Sequence, residues 1–392
     1  MKHIDKFVQK TNNFIRSIYG DDHIPLHRPV FNDAEKLLLN ECIESNFVSS
    51  VGKKVDEFEC SFASYTNSKY AISTVNGTAA LHVALKLSDV SKGDEVITQA
   101  LTFIATCNAI DYVGATPVFV DVDIDSMGIS PKFLTRFLEN NAKRENGITI
   151  NKNTGAKISA CLPMHTFGMP CRIDEIKKIC DDWNLKLVED CAESLGSYYK
   201  GEHTGNFGHF GTFSFNGNKI ITTGGGGMII TNDRELAKKA KHITTTSKLP
   251  HAYNFVHDEI GFNYRMPNIN AAIGCAQLEK LDRFLEIKKE LADKYSEFFA
   301  GTEVNYVQNY ENADSNFWLN TIMMNSYEDR EYFLKSTNRE RVMTRPIWSL
   351  MSSLPMFKNC QRDDLTNSKL LERTLLNIPS SVPSSPEWDF NI

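Results

Sequence analysis

Long apolar runs are missing from this sequence: nowhere do apolar residues approach the roughly 20 in succession that a membrane-spanning helix needs. The opening Met1-Lys2-His3 is not followed by the continuous apolar core of a secretion signal, so a cytoplasmic protein is expected. Charge of one sign is also lacking. Lys and Arg total 43 against 49 Asp and Glu, a net charge of −6, with no basic stripe or tail. Nucleic acid and anionic membranes are therefore not expected partners. The nine cysteines are odd in number and dispersed, without a CxxC pair, and the ten histidines show no HExxH or HxH spacing. That distribution argues for reduced thiols and against a disulfide frame or a zinc site, and the reading is metal-free.

What is present is an ordinary globular composition, 41% hydrophobic and 23% charged, in a chain of 392 residues, enough for more than one structural unit. Ile4, Phe7, Val8, Phe14, Ile15 and Ile18 recur at nearly helical spacing and predict an amphipathic N-terminal helix. Its other face is not markedly basic, which favours a packing arm over a membrane anchor. Gly20-Asp21-Asp22 breaks it before an extended run, Ile24 to Val30. From residue 34 to about 250, short β-rich runs alternate with helical stretches. The strand candidates are Tyr70–Val75, Glu95–Thr98, Pro117–Val122, Lys157–Met164, Leu185–Glu189, Thr212–Phe215 and Gly227–Thr231. Thr78–Leu87, Phe103–Tyr112, Ile173–Trp183 and Asp233–Ala240 read as helices. Strands separated by helices, several nearly all apolar, predict an α/β fold with a mainly parallel sheet covered on both faces. Right-handed crossovers would gather the strand C-terminal ends on one functional rim. Beyond about 250, two helices (Ile269–Leu278, Leu281–Phe299) and isolated β-like runs (Phe317–Met323, Arg341–Arg345) predict a smaller α+β domain. The expected division is an arm over 1–33, a large domain over 34–250 and a small domain over 251–392.

Three sites carry chemistry. In Thr74-Val75-Asn76-Gly77-Thr78 a strand runs into a glycine-containing turn that opens a helix. The free amides of a helix start, with the Thr78 hydroxyl, can hold a phosphate, although a plain helix cap reads the same way. In Val188-Glu189-Asp190-Cys191-Ala192-Glu193 a strand ends in acids. Asp190 could pair with a protonated ring nitrogen, or serve only as a helix-start acid. In Thr212-Phe213-Ser214-Phe215-Asn216-Gly217-Asn218-Lys219 a strand delivers Ser214, and Lys219 precedes Gly224–Gly227. A single lysine is usually a solvated charge, and these glycines lack the GK[ST] of a Walker loop. They let the backbone approach a ligand or turn sharply. Together, a phosphate cradle, a carboxylate for a ring nitrogen and a lysine for an imine are what pyridoxal phosphate requires. The aspartate would keep the ring nitrogen protonated, and the lysine would shuttle the proton.

The strings VNGTAALH, LTFIATCNAI, MHTFG, VEDCAES, SFNGNK with TTGGGG, and GFNYRMPN make the chain resemble the sugar aminotransferase family (DegT/DnrJ/EryC1/StrS type) of pyridoxal-phosphate enzymes. The resemblance runs from about Ile24 to Ser381. IPLHRPVF, SSVGKKVDEFE and SFNGNKIITTGGGG look closest to the branch that makes amino sugars for legionaminic-acid-like nonulosonates, the LegC-like branch. It implies a type I, aspartate-aminotransferase-like fold and a homodimer with shared active sites. Lys219 becomes the imine lysine, Asp190 the partner of the pyridine nitrogen, and Glu193 the partner of the phenolic oxygen. Gly77, Thr78 and Ser214 fall where the family holds the phosphate, Phe103 where it stacks an aromatic on the cofactor, and Asn263 where it reaches the phosphate of the neighbouring subunit. Ser49, Ser50 and Lys53 lie where acceptor contacts occur, with His165, Arg345 and Trp348 as further substrate candidates. The chain departs from the family pattern at two places. It has an acid at Glu193 where histidine or glutamine is common, and Gly225 where many members carry a loop glutamate.

The reaction so implied moves the amino group of L-glutamate to a keto sugar, foremost a nucleotide-linked 4-keto-6-deoxy sugar, in bacterial cell-surface amino-sugar biosynthesis. Amination of an oxidised eight-carbon acid, 8-oxo-Kdo, is the alternative acceptor. Sugar dehydration, found in relatives that replace the lysine by histidine, is disfavoured by Lys219. A non-catalytic cofactor-binding protein would tolerate loss of Lys219 or Asp190, and both are intact.

Overall fold

The structure, a computed structural model, describes residues 2–383. Seven strands form the central sheet: β1 Tyr70–Thr74, β2 Glu95–Gln99, β3 Thr116–Val120, β4 Ile158–Leu162, β5 Lys186–Asp190, β6 Phe210–Ser214 and β7 Gly227–Thr231. Their order is β1-β7-β6-β5-β4-β2-β3. All run parallel except β7, which is antiparallel to both its neighbours. Every residue of β2 and of β4 is buried, as strands covered on both faces must be.

Helices supply the cover. One face carries α4 Gly77–Leu87, α5 Ile104–Tyr112 and α8 Arg234–Thr244, whose Leu81, Ile110 and Ile243 meet Val96, Val188 and Ile229 of the sheet. The other carries α6 Pro131–Asn141 and α7 Ile173–Trp183, whose Leu134 and Ile176 meet Ile97, Val118 and Leu187. Earlier in the chain lie α1 Lys2–Tyr19, α2 Asp33–Glu44 and α3 Lys53–Thr66. After the sheet come α9 Asn268–Glu279, α10 Leu281–Ala300, α11 Tyr327–Arg339 and α12 Thr366–Thr374.

The C-terminal part has its own antiparallel sheet, built from β8 Asn305–Tyr306, β9 Asn320–Met323, β10 Arg345–Pro346 and β11 Leu375–Ile378, ordered β8-β9-β11-β10. The β-like runs that look isolated in sequence are therefore paired. The first begins at Asn320 rather than Phe317, because Phe317 takes φ +46°, which an extended strand cannot contain. Of the second only Arg345 is in a strand.

Helix α1 docks on this C-terminal layer. Phe14 stacks on Phe298 of α10 at 4.2 Å, and Phe7 meets Phe333 of α11 at 5.7 Å. The amphipathic stripe is thus a packing face. Across residue 250, α9 lies against α2 and α3. Phe58 of α3 contacts the α9 backbone so closely that a Cβ at Gly274 would sit 2.8 Å from its ring.

Candidate active site

The C-terminal ends of β5 and β6, the start of α4 and the loop before β9 meet around one cavity of about 370 Å³. Asn76 caps α4 by accepting from Ala79 N–H at 2.8 Å, which fixes the turn that presents Gly77 and Thr78. Gly77 has no alternative there: a Cβ would lie 2.8 Å from Cβ of Ser214. Gly77, Thr78 and Ser214 consequently line the same end of the cavity as the first-turn amides of α4, which have no partners within their helix.

Asp190 ends β5. It is 2% exposed, and its carboxylate accepts from the Thr106 hydroxyl at 2.8 Å and the Ala192 amide at 3.1 Å. Both donors are neutral. Burial pushes its pKa above the ordinary carboxylate value, against these hydrogen bonds and the more distant charge of Lys219. A cationic ring N–H in the cavity would supply the missing counter-charge.

Glu193 is buried at the cavity wall. One oxygen accepts from Phe167 N–H at 2.9 Å, the other from Nζ of Lys219 at 3.2 Å. Burial pushes its pKa up to about 7, with Lys219 pulling the other way. Lys219 follows a tight turn closed by its own amide onto the Asn216 carbonyl at 2.9 Å, and its side chain is 12% exposed. The same Nζ lies 4.1 Å from the centre of the Trp318 ring.

The structure thus brings together Lys219, Asp190, Glu193, Gly77, Thr78, Ser214, Phe103 and Trp348 at one cavity. Phe103, at the N-cap of α5, is 47% exposed and lies 6.1 Å from Trp348. The remaining candidates lie elsewhere. His165 is fully buried behind the cavity wall, between Glu189 at 3.2 Å and the Cys171 amide at 3.1 Å, where it supports the end of β5. Arg345 is exposed and bonded to Asn338 and the Thr344 carbonyl. Ser49, Ser50 and Lys53 lie on the surface around the start of α3, with Lys53 paired to Glu57. Asn263 is exposed and accepts from Arg265. None of these six lines the cavity. Nor does the glycine run: it turns at Gly224 (φ +79°), and a Cβ at Gly227 would strike the Asn76 backbone at 2.5 Å.

Sequence reasoning missed Trp318 and Asn316. Asn316 donates to the carbonyls of Glu193 and Leu195 at 2.8 and 2.9 Å and accepts from Trp318 N–H at 2.8 Å. Trp318 donates its indole N–H to the Asn218 carbonyl at 2.7 Å. Nothing in their local sequence separates them from a β-like run.

Compared with known proteins, residues 30–387 match the family described as DegT/DnrJ/EryC1/StrS aminotransferases. The chain belongs to that family. It is 38% identical to the GDP-perosamine synthase of Escherichia coli O157:H7 over 335 residues, 86% of this chain and 87% of that one. To the GDP-perosamine synthase of Vibrio cholerae it is 33% identical over 360 residues, 91% and 94% of the two chains. In fold it superimposes with a TM-score of 0.84 on Helicobacter pylori PseC, an aminotransferase of pseudoaminic acid biosynthesis, at 22% identity and with 94% and 96% of the chains covered. This aminotransferase is therefore a pyridoxal-phosphate-dependent enzyme acting on sugars, with the type I fold expected of the family. The residues present suit the cofactor: a close-packed glycine turn for its phosphate, a buried carboxyl with only neutral donors for its ring nitrogen, and a lysine lining the same cavity. Among the described residues, no helix of this aminotransferase is long and apolar enough to cross a membrane.

Proposed function

We propose that this aminotransferase takes the amino group of L-glutamate and transfers it to a nucleotide-linked 4-keto-6-deoxy sugar. The observation that carries the reading is the convergence of Lys219, Asp190, Glu193 and the Gly77–Thr78–Ser214 turn on one cavity. Pyridoxal phosphate, when bound, would supply an electron sink for the electron pair left on carbon as the proton is removed. Asp190 holds the ring nitrogen in its protonated form, and Gly77, Thr78 and Ser214 hold the phosphate. Phe103, which lines the cavity, would cover the cofactor ring. Lys219 binds the cofactor and, as a free amine, carries the proton. Glu193, which accepts from Lys219, would be the partner of the cofactor's phenolic oxygen. Trp348 is the sugar-site candidate that lines the cavity.

Both relatives compared above are named GDP-perosamine synthase, and that product name supports a nucleotide-linked sugar as acceptor. The strings IPLHRPVF and SSVGKKVDEFE favour the legionaminic-acid branch within that class. We read the enzyme as a cytoplasmic homodimer in which Asn263 and the Ser49–Lys53 segment serve the site across the subunit boundary. Exposed apolar side chains near those residues support this, among them Phe47 (57%), Val51 (66%) and Ile260 (82%).

The test is an absorbance spectrum of the purified protein with pyridoxal phosphate, then with L-glutamate. A visible band that collapses to the near-ultraviolet on glutamate addition establishes the donor half-reaction. Nucleotide-linked keto sugars are then added one at a time, and the acceptor is the one that restores the band. A band that glutamate leaves unchanged overturns the donor, and no band at all overturns the role of Lys219. Mixing Lys219→Ala with Asn263→Ala should restore activity through hybrid dimers; no recovery overturns the shared site.

A further inference from the structure

The side chain of Lys219 rests between two groups that attract a cation from opposite kinds of surface. Glu193 Oε1 accepts from Nζ at 3.2 Å, and the Trp318 ring centre lies 4.1 Å from the same atom. A negative aromatic face and a carboxylate are complementary to one ammonium. Trp318 is not free to adjust: its backbone N–H is bonded to Asn316 at 2.8 Å and its indole N–H to the Asn218 carbonyl at 2.7 Å. Its own carbonyl accepts from the buried Lys288 of α10 at 3.2 Å. Asn316 in turn donates to the Glu193 carbonyl at 2.8 Å, so one side chain sets both halves of the arrangement. It lies against Gly168, where φ is +94° and a Cβ would sit 1.9 Å from Asn316 Oδ1.

We propose that Trp318 is a positioning residue for Lys219, and that Asn316 sets it. Trp318 and Glu193 form a fixed seat that receives the ε-amino group whenever it is not covalently engaged. The seat holds the amine at one place on the cavity wall. A flexible four-carbon side chain loses rate through misplacement, and the seat removes that freedom. The inference rests on Lys219 being the imine lysine. It goes beyond that reading by bringing the segment before β9 into the machinery.

The experiment uses the full chain as wild type, Trp318→Leu, Trp318→Phe and Asn316→Ala. Absorbance with pyridoxal phosphate comes first, against Lys219→Ala. If wild type shows no band that Lys219→Ala lacks, the reading of Lys219 fails, and the seat with it. With that band secured, the seat has separate readouts. Lysines of cofactor-stripped protein are labelled with limiting acetic anhydride and read by peptide mass spectrometry. Lys219 should be labelled about 5-fold faster in Trp318→Leu than in wild type, with Trp318→Phe within about 2-fold, because phenylalanine retains the ring face. In the glutamate half-reaction, Trp318→Leu should lose about 10-fold in maximal rate with half-saturation unchanged, and Trp318→Phe should recover most of it. Equal labelling and equal rates in all three overturn the proposal, as does a loss in half-saturation alone. If Trp318→Leu does not fold, Asn316→Ala leaves the indole in the chain and must give the same signs. Wild-type Lys219 labelled as fast as the exposed Lys132 overturns the seat without any variant.

Discussion

Glu193 and Lys219, 26 residues apart in sequence, meet at 3.2 Å because β5 and β6 are parallel neighbours whose C-terminal ends open on the same rim. The pairing sets a buried acid against the amine of Lys219, so the charge on Glu193 bears on the stability of the site.

Burial places the Glu193 carboxyl at a pKa of about 7, above the 4.5 of an unfolded glutamate. A raised acid favours the folded protein in its protonated form. That contribution is complete below pH 4.5 and is lost as pH rises through 7. Cofactor-free wild type should therefore lose on the order of 1–3 kcal/mol between pH 5 and pH 8 relative to Glu193→Gln, which cannot ionise. Urea unfolding of both proteins across that range checks it; parallel curves contradict it.

Lys288 should give the opposite slope. It is fully buried, donates to the carbonyls of Trp318 and Ser380, and burial lowers its pKa to about 7 from 10.5. A depressed base contributes stability at high pH that is lost as pH falls towards 7. Lys288→Met should thus gain about 1–3 kcal/mol on wild type as pH drops from 9.5 to 7, read from the same unfolding curves. A difference that does not change with pH counts against it.

Asp190→Asn should separate stability from turnover. The amide keeps an acceptor for Thr106 or Ala192 and removes a buried charge that has only neutral partners, so the melting temperature of cofactor-free protein should hold or rise. The glutamate half-reaction should slow about 100-fold or more, because a neutral side chain does not hold the ring nitrogen protonated. Unchanged rates would remove Asp190 from the cofactor site.

Gly168→Ala tests the corner that carries the Phe167 amide to Glu193. At φ +94° with Asn316 Oδ1 1.9 Å from the new Cβ, it should cost about 2–4 kcal/mol. Gly201→Ala, at φ +80° with nothing within 4 Å, should cost only about 1 kcal/mol. Thermal unfolding of the two variants should rank them in that order.

The seven strands of the central sheet were readable because each is a short apolar run bounded by turns, and burial on both faces leaves no polar alternation to confuse the pattern. Gly77, Asp190, Ser214 and Lys219 were readable because Asp190 and Ser214 end strands and Gly77 and Lys219 follow strand ends within a few residues, where the parallel topology gathers functional groups. His165 and Arg345 were not distinguishable in advance. Both lie in plausible strings, and only packing turns one into the wall behind Asp190 and leaves the other on the surface. The pairing within the sheet of β8, β9, β10 and β11 was hidden for a different reason: strands of two to four residues carry too short a pattern to announce partners up to 58 residues away, as Asn320 and Ile378 show.

By itself the sequence determined the elements and the chemical groups: a lysine after a polar turn, an acid closing an apolar strand, a glycine turn opening a helix. These depend on local periodicity and on residue type, both of which are written along the chain. Tertiary structure alone decided which of those groups share a cavity, and it added two that no local pattern marks. Asn316 and Trp318 are joined by hydrogen bonds to Glu193 and Asn218, about a hundred residues earlier. Contacts of that separation are fixed by how the C-terminal layer docks on the sheet, which is settled by burial of whole surfaces.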